Sequence, residues 1–345
     1  MSIVGNFTAS INRGIHYLKE HQFHNGQFPS YMYCTNFEHP FYLYESNTFT
    51  TGLIVQCLLE FKDNDVVKDI LDKADYFLIH QKMHYGLWQY LSRDNLAFSI
   101  TPVDIDTTSI VSDYLTQRGK SDYFENLDSF RLFKNREGLF KTWIYSDLKM
   151  LFNEQTRRFL FRYYRRYFSA KKFYKQFHMG ANDVSMPINW NVLHYLGKCE
   201  LTQPIINKTV ELVNNNVDFN SFRWYRYNYI SLYFLCRNFR HDIIEFEALK
   251  PVLINVILGN LSNGQFEDLN ELAVSMYLSS LIRLNYSGPE IDELAFKIVS
   301  FQQANGSWKL CEVFGADFGE FLSESMTTVI AIESLSLYNK LKYKS

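Results

Sequence analysis

The sequence predicts an all-α fold: twelve helices in six hairpins, closed into two concentric rings around a central cavity. Three observations carry that expectation. A helix-and-turn grammar recurs along the 345-residue chain, apolar helical segments follow each turn, and alternating strand patterns are almost absent. Aromatic residues are plentiful, with 30 Phe, 24 Tyr and 5 Trp making 17% of the chain, enough to fill a core and line a cavity.

Each turn unit consists of a polar residue, three spacers, a glycine and an aromatic two positions on. Gln22, Gly26 and Phe28 form the first unit, and Gln81, Gly86 and Trp88, with one extra spacer, the second. Lys134, Gly138 and Phe140 form the third, Asn260, Gly264 and Phe266 the next, and Gln302, Gly306 and Trp308 the last. The glycines step by 60, 52, 126 and 42 residues, so a decayed unit is expected in the double-length gap, at 206–224. Second helices are expected at 48–61, 106–115, 188–197, 227–236, 271–284 and 326–338. Several of these open on Thr, Ser or Asp, as helix starts prefer. An open solenoid would need polar end units, yet the first and last units carry the same strong motif as the middle ones. A closed ring is therefore expected, with the second helices inside and the first helices outside. The whole of 1–345 reads as one domain, with a basic aromatic insertion at about 145–180.

Composition narrows the partners. Lys plus Arg number 35 and Asp plus Glu 37, a net charge of −2, which leaves no cationic excess for phosphate contacts and argues against nucleic acid. Hydrophobic residues are 47% and charged residues 21%, a globular ratio. Cys34, Cys57, Cys199, Cys236 and Cys311 are scattered with no CxxC pair, which fits a reducing, cytoplasmic setting. No apolar run reaches the roughly 18 residues of a membrane span. The nine histidines form no HExxH motif, so neither a metal nor another cofactor is expected. In the segment 157–178, Arg158, Arg162, Arg165 and Arg166 share one helical face and Phe159, Tyr163 and Tyr167 another. It reads as a solvated face over a packing stripe, or as a contact with an anionic membrane surface or with a substrate carboxylate or phosphate.

The patterns Gln22–Phe28 and Gln302–Trp308 resemble the repeat motif of terpenoid cyclases and protein prenyltransferases. That resemblance implies an α/α toroid of six helical hairpins with inner and outer helical barrels. The segment TPVDIDTTSIV at 101–111 resembles the DxDD or DxDTT acid motif of class II terpene cyclases. It implies Asp106 as the proton donor and Asp104 as its supporting partner. DVSMPINWNVLHYLG at 183–197 is similar to a segment of bacterial single-toroid proteins of this superfamily. The DDxxD motif of class I synthases and the Asp, Cys and His zinc set of prenyltransferases have no counterpart. The chain most resembles single-domain bacterial cyclases of meroterpenoid pathways, which act on prenylated aromatic acids. The resemblance implies an isomerase-type cyclase with a small isoprenoid substrate, converting a linear polyprenyl or prenylated aromatic acid into a polycyclic product.

The residues suit that chemistry. Protonating an alkene needs an acid that keeps its proton near neutrality, and burial or a second carboxylate nearby raises a carboxyl pKa. Asp104 and Asp106 are two apart and do not share a helix face. They converge only if the segment before the helix is extended or a turn, as Pro102 favours. The other reading is an N-cap pair at an exposed helix start. Ring faces stabilise a migrating cation by roughly 0.5–2 kcal/mol each, so the cavity is expected to be aromatic. Expected lining residues are Phe49, Thr107, Trp143, Trp190, Trp224, Tyr225, Phe314 and Phe318, each with ordinary core packing as its alternative. Asp183 reads as a helix cap or a cavity carboxylate. Two other functions remain open on the sequence: a non-catalytic prenyl- or lipid-binding toroid, and a carbohydrate-active α/α toroid with paired acids in a polar groove.

Overall fold

The protein is described by a computed structural model covering residues 3–34, 38–122, 125–144, 157–158, 175, 180, 183–262, 268–316 and 319–344. Thirteen helices are defined among the described residues. They are α1 Ile3–His21, α2 Thr48–Leu58, α3 Asp65–Gln81, α4 Ile105–Gln117, α5 Leu127–Leu132, α6 Met186–Leu196 and α7 Gln203–Asn214. They continue with α8 Asn228–Cys236, α9 Ile244–Glu247, α10 Lys250–Ser262, α11 Glu271–Arg283, α12 Glu290–Phe301 and α13 Glu324–Lys344.

Six of these helices form a closed ring. α2 packs on α4, α4 on α6, α6 on α8, α8 on α11, α11 on α13, and α13 returns to α2. Every residue of α2 and of α6 is buried, as expected of a helix enclosed on all sides. The helices outside this ring carry a single stripe. In α3 it is Val67, Ile70, Leu71, Ala74, Phe77 and Leu78, spaced three and four apart. α3 packs on α1 and α2, α7 on α6, α10 on α11, and α12 on α11 and α13. α7 falls within the gap where a decayed unit was expected.

The turn motif has a physical account. Gln22 Nε2 donates to the Gly26 carbonyl and to the Ile70 carbonyl of the neighbouring α3, both at 2.9 Å. Gln302 does the same at the seam, reaching the Gly306 carbonyl at 2.8 Å and the Ser10 carbonyl of α1 at 2.9 Å. At these two turns the glutamine thus ties one outer helix to the next. The aromatic after the glycine turns inward: Phe28, Trp88, Phe140 and Trp308 are fully buried. Their backbone N–H groups donate to Thr51, Thr108, Asn189 and Thr328 on four inner helices, at 2.8–3.2 Å. Phe266 and Gly264 lie outside the described residues.

The all-helical expectation needs correction, because two small sheets are present. Strands β1 Tyr31–Cys34, β2 Phe41–Tyr44, β5 Glu312–Ala316 and β6 Gly319–Leu322 form a four-stranded antiparallel sheet in the order β2-β1-β6-β5. Strands β3 Val103–Asp104 and β4 Trp143–Ile144 pair separately. The larger sheet joins the first and last turn regions through Tyr31 opposite Leu322 and Met32 opposite Phe321. These strands are too short to display a period of two, and β1 and β6 lie nearly the whole chain apart. The ring therefore closes three times over: α13 on α1 and α2, Gln302 on Ser10, and β6 on β1. All five cysteines are free. No described helix is long and apolar enough to cross a membrane. The basic segment 157–178 lies outside the described residues except 157, 158 and 175, which are exposed.

Candidate functional site

A cavity of about 300 Å³ opens at the N-terminal ends of α2, α4, α6 and α8. The inner helices contribute Phe49, Asp106, Thr107 and Ile188, and the sheet contributes Met32, Leu43, Tyr44 and Phe321. Further wall comes from Tyr90, Trp143, Trp224 and Tyr225. The rings contact one another: Trp143 meets Trp224 edge-on at 5.5 Å, and Tyr90 meets Phe321 at 5.8 Å.

Asp104 and Asp106 both face this cavity, and the chain between them changes from strand to helix. Asp104 ends β3, with extended backbone at φ −124°, ψ 153°, and is the N-cap of α4. Its Oδ1 accepts the Thr107 N–H at 2.6 Å. Asp106 lies in the first helical turn, so the two carboxyls converge as the extended approach requires. The exposed N-cap reading is excluded, since Asp104 is 4% and Asp106 6% exposed.

Two donors from other helices hold Asp106. Asn191 Nδ2 of α6 donates to its Oδ1 at 2.8 Å, and the Tyr225 hydroxyl, just before α8, donates to its Oδ2. Burial pushes the Asp106 carboxyl up to about 6, with the Tyr225 and Asn191 donors and the Arg237 charge limiting the rise. Burial pushes Asp104 up to about 7 against the Thr107 N–H, and the charge of Asp106 adds to the rise. Both carboxyls are thus held above the ordinary carboxylate range, with burial the first cause in each.

The other expected residues divide. Phe49, Thr107, Trp143, Trp224 and Tyr225 line the cavity. Asp183 does not; its Oδ2 accepts the Trp224 Nε1–H at 2.8 Å and so orients that ring. Trp190 does not either. Its Nε1 donates to Thr209 of α7 at 2.9 Å, and its ring packs edge-on to Phe222 at 5.6 Å. The reason is helical geometry: Ile188 faces the cavity, and a residue two positions on points about 200° away. Asn191, three positions on, returns to the cavity side. Phe314 lies on β5, its backbone in register with Phe321, and Phe318 lies outside the described residues.

The sequence reading missed Asn191, Ile188, Tyr90, Glu45 and the sheet residues. Only Asn191 had a signal, its three-residue spacing from Ile188 on a helix. Among the described residues, no three His, Cys, Asp or Glu side chains come together as a metal site.

Neither protein-family models nor curated protein sequences match this chain. Solved structures do. The chain superposes on the type II terpene cyclase MstE from Scytonema in complex with its substrate geranylgeranyl dihydroxybenzoate, with a TM-score of 0.71. That match covers 98% of this chain and 99% of that one at 14% identity. A protein from Actinoplanes matches at a TM-score of 0.70 and 13% identity, over 96% of this chain and 99% of that one. An unsaturated glucuronyl hydrolase specific for heparin matches at 0.56 and 9% identity, over 98% of both chains. At these identities the likeness is one of fold.

Proposed function

We propose that the protein is a class II, protonation-initiated terpenoid cyclase acting on a linear prenylated aromatic acid or polyprenyl compound. In this reading 1–345 is one α/α-toroid domain of six helical hairpins. The observation that carries it is a pair of buried carboxyls, Asp104 and Asp106, at the wall of an aromatic cavity.

Asp106 donates its proton to the terminal alkene, whose π electrons form the new C–H bond. The carboxylate left behind is stabilised by Asn191 and Tyr225, which makes the acid stronger at the moment of transfer. Asp104, held by the helix start, supplies the neighbouring field. Positive charge then moves along the polyene, met by the faces of Phe49, Trp143 and Trp224. Thr107 fixes Asp104 through its N–H, and Asp183 fixes Trp224. The MstE complex with geranylgeranyl dihydroxybenzoate supports the substrate class.

The carbohydrate reading has a structural likeness behind it, the heparin-specific hydrolase. It is disfavoured by walls made mostly of Leu, Ile, Phe, Trp and Tyr, which offer sugar hydroxyls few partners. A lipid carrier would keep its function without an acid at position 106. The test is incubation of the purified protein with geranylgeranyl dihydroxybenzoate, with products resolved by chromatography, mass spectrometry and NMR. An isomer of unchanged mass is expected. Asp106→Asn should bind substrate and turn it over at least about 100-fold more slowly; cyclisation at the parent rate by that variant would sink the proposal.

A further inference from the structure

A third carboxyl lines the cavity, and protonation of the alkene does not use it. Glu45 follows β2, is 9% exposed and forms part of the cavity wall. The Tyr90 hydroxyl donates to its Oε2, and Asn47 Nδ2 reaches the same oxygen at 3.4 Å. Asn47 is itself fixed. It caps α2 by accepting the Thr50 N–H at 2.8 Å, and its Nδ2 also donates to Ser30 at 2.6 Å. The carboxyl is therefore held by the turn ahead of α2, by the segment ahead of β1 and by Tyr90. Among the described residues both donors fall on Oε2, which leaves Oε1 to act on a ligand.

Its surroundings narrow what it can do. Among the described lining residues there is no Lys, Arg or His, so no cation in the wall neutralises Glu45. Burial pushes its carboxyl up to about 7, with Tyr90 and Asn47 pulling the other way. Glu45 is thus more basic than an ordinary carboxylate. An anionic carboxylate in a cavity that carries carbocations ends their migration wherever the two meet. Asp106 is less suited to that role, because Asn191 and Tyr225 both stabilise its carboxylate and make it a weaker base.

We propose that Glu45 is the base that ends the reaction, taking the proton from the carbon next to the last carbocation. This assignment rests on the cyclase reading. The C–H bond breaks, its electron pair becomes the π bond of the product alkene, and the proton bonds to Oε1. The substrate has then gained one proton from Asp106 and lost one to Glu45, so the product is an isomer. Exchange with water after product release returns both carboxyls to their starting states.

The experiment compares the parent, Glu45→Gln and Asp106→Asn on farnesyl and geranylgeranyl dihydroxybenzoate, reading both substrate consumption and product ratio. Glu45→Gln should still consume substrate, unlike Asp106→Asn. The ratio of the parental alkene to other products should fall by about 100-fold, the low end of what a positioned base contributes. The replacements should be isomeric alkenes or an alcohol heavier by one water. An unchanged ratio, with or without a raised KM, overturns the assignment and marks Glu45 as a binding contact. A folded Glu45→Gln protein that consumes no substrate overturns it as well, since a terminal base is not needed to start the reaction. If circular dichroism finds Glu45→Gln unfolded, Glu45→Asp replaces it, with its carboxylate drawn back by one methylene. A shifted ratio then supports the assignment and an unchanged one overturns it. A parent that makes no isomer from either compound overturns the cyclase reading and this assignment together.

Discussion

Asp106 illustrates how an acid can hold its proton above the ordinary carboxylate range and still be strong in use. Burial keeps the proton on, while Asn191 and Tyr225 stabilise the carboxylate that remains once it leaves. Tyr225→Phe removes one of those donors, so the pKa of Asp106 should rise. A hydrogen bond to a charged group is worth about 1.5–3 kcal/mol, or one pKa unit or more. Only the protonated form starts the reaction, so the parent rate should fall as pH rises through about 6. In Tyr225→Phe that edge should move to higher pH, with the plateau rate reduced at least about tenfold. A pH–rate profile checks this, and an edge that stays or moves down refutes it. Asp104 carries a stability counterpart. Its folded pKa, about 7, lies above that of an unfolded aspartate, so its contribution is full at low pH and lost as pH rises through 7. Asparagine keeps the cap without the charge. Asp104→Asn should therefore gain on the parent by about 3 kcal/mol between pH 4 and pH 8, measured by denaturant unfolding.

The glycine turns decide how the outer helices meet. Gly26 and Gly306 both have φ near +91°, a conformation that side chains disfavour, and both lie against a neighbouring helix. A Cβ on Gly26 would stand 2.1 Å from the Lys73 carbonyl oxygen, and one on Gly306 2.6 Å from that of Arg13. Backbone cannot yield cheaply to such contacts. Gly26→Ala and Gly306→Ala should each cost more than about 2 kcal/mol, combining strain with the displaced helix. Gly259, exposed within α10, has open space around it among the described residues. Gly259→Ala should instead stabilise by about 0.5–1 kcal/mol. Thermal unfolding of the three variants checks the contrast, and similar Tm values for all three would contradict it.

A closed ring and an open solenoid respond differently to losing an end. In a solenoid each unit contacts only its neighbours, and a truncated array keeps most of its structure. Here α13 packs on α1, α2, α11 and α12, and α2 and α11 both belong to the inner ring. A chain ending at Ser323 would leave α1, α2 and α11 with bare apolar surface at once. It should lose most of its far-UV helical signal and any sharp unfolding transition. A truncated protein that keeps helicity in proportion to its length would show that closure does not hold the fold together.

The repeat of glycine and aromatic, and the apolar segments after it, located all six ring helices, five of them to within three residues at each end. Both signals are local: a positive-φ turn favours glycine, and a helix's hydrogen bonds and spacing repeat within four residues. The convergence of Asp104 and Asp106 was legible for the same reason, since an extended residue ahead of a helix start is a short-range pattern. Tyr225, Trp224, Trp143 and Phe49 followed from position in the repeat. Tertiary structure alone decided the rest. The β1–β6 pairing joins residues nearly the whole chain apart, which no local pattern encodes. Glu45 enters the cavity only because that sheet and Tyr90 place it there. The inner helices are buried on nearly every side, so hydrophobic spacing carries no information about which face meets the cavity. Trp190 therefore packs toward α7 while Asn191 turns to Asp106, a choice set by how the helices rotate against their neighbours in the ring.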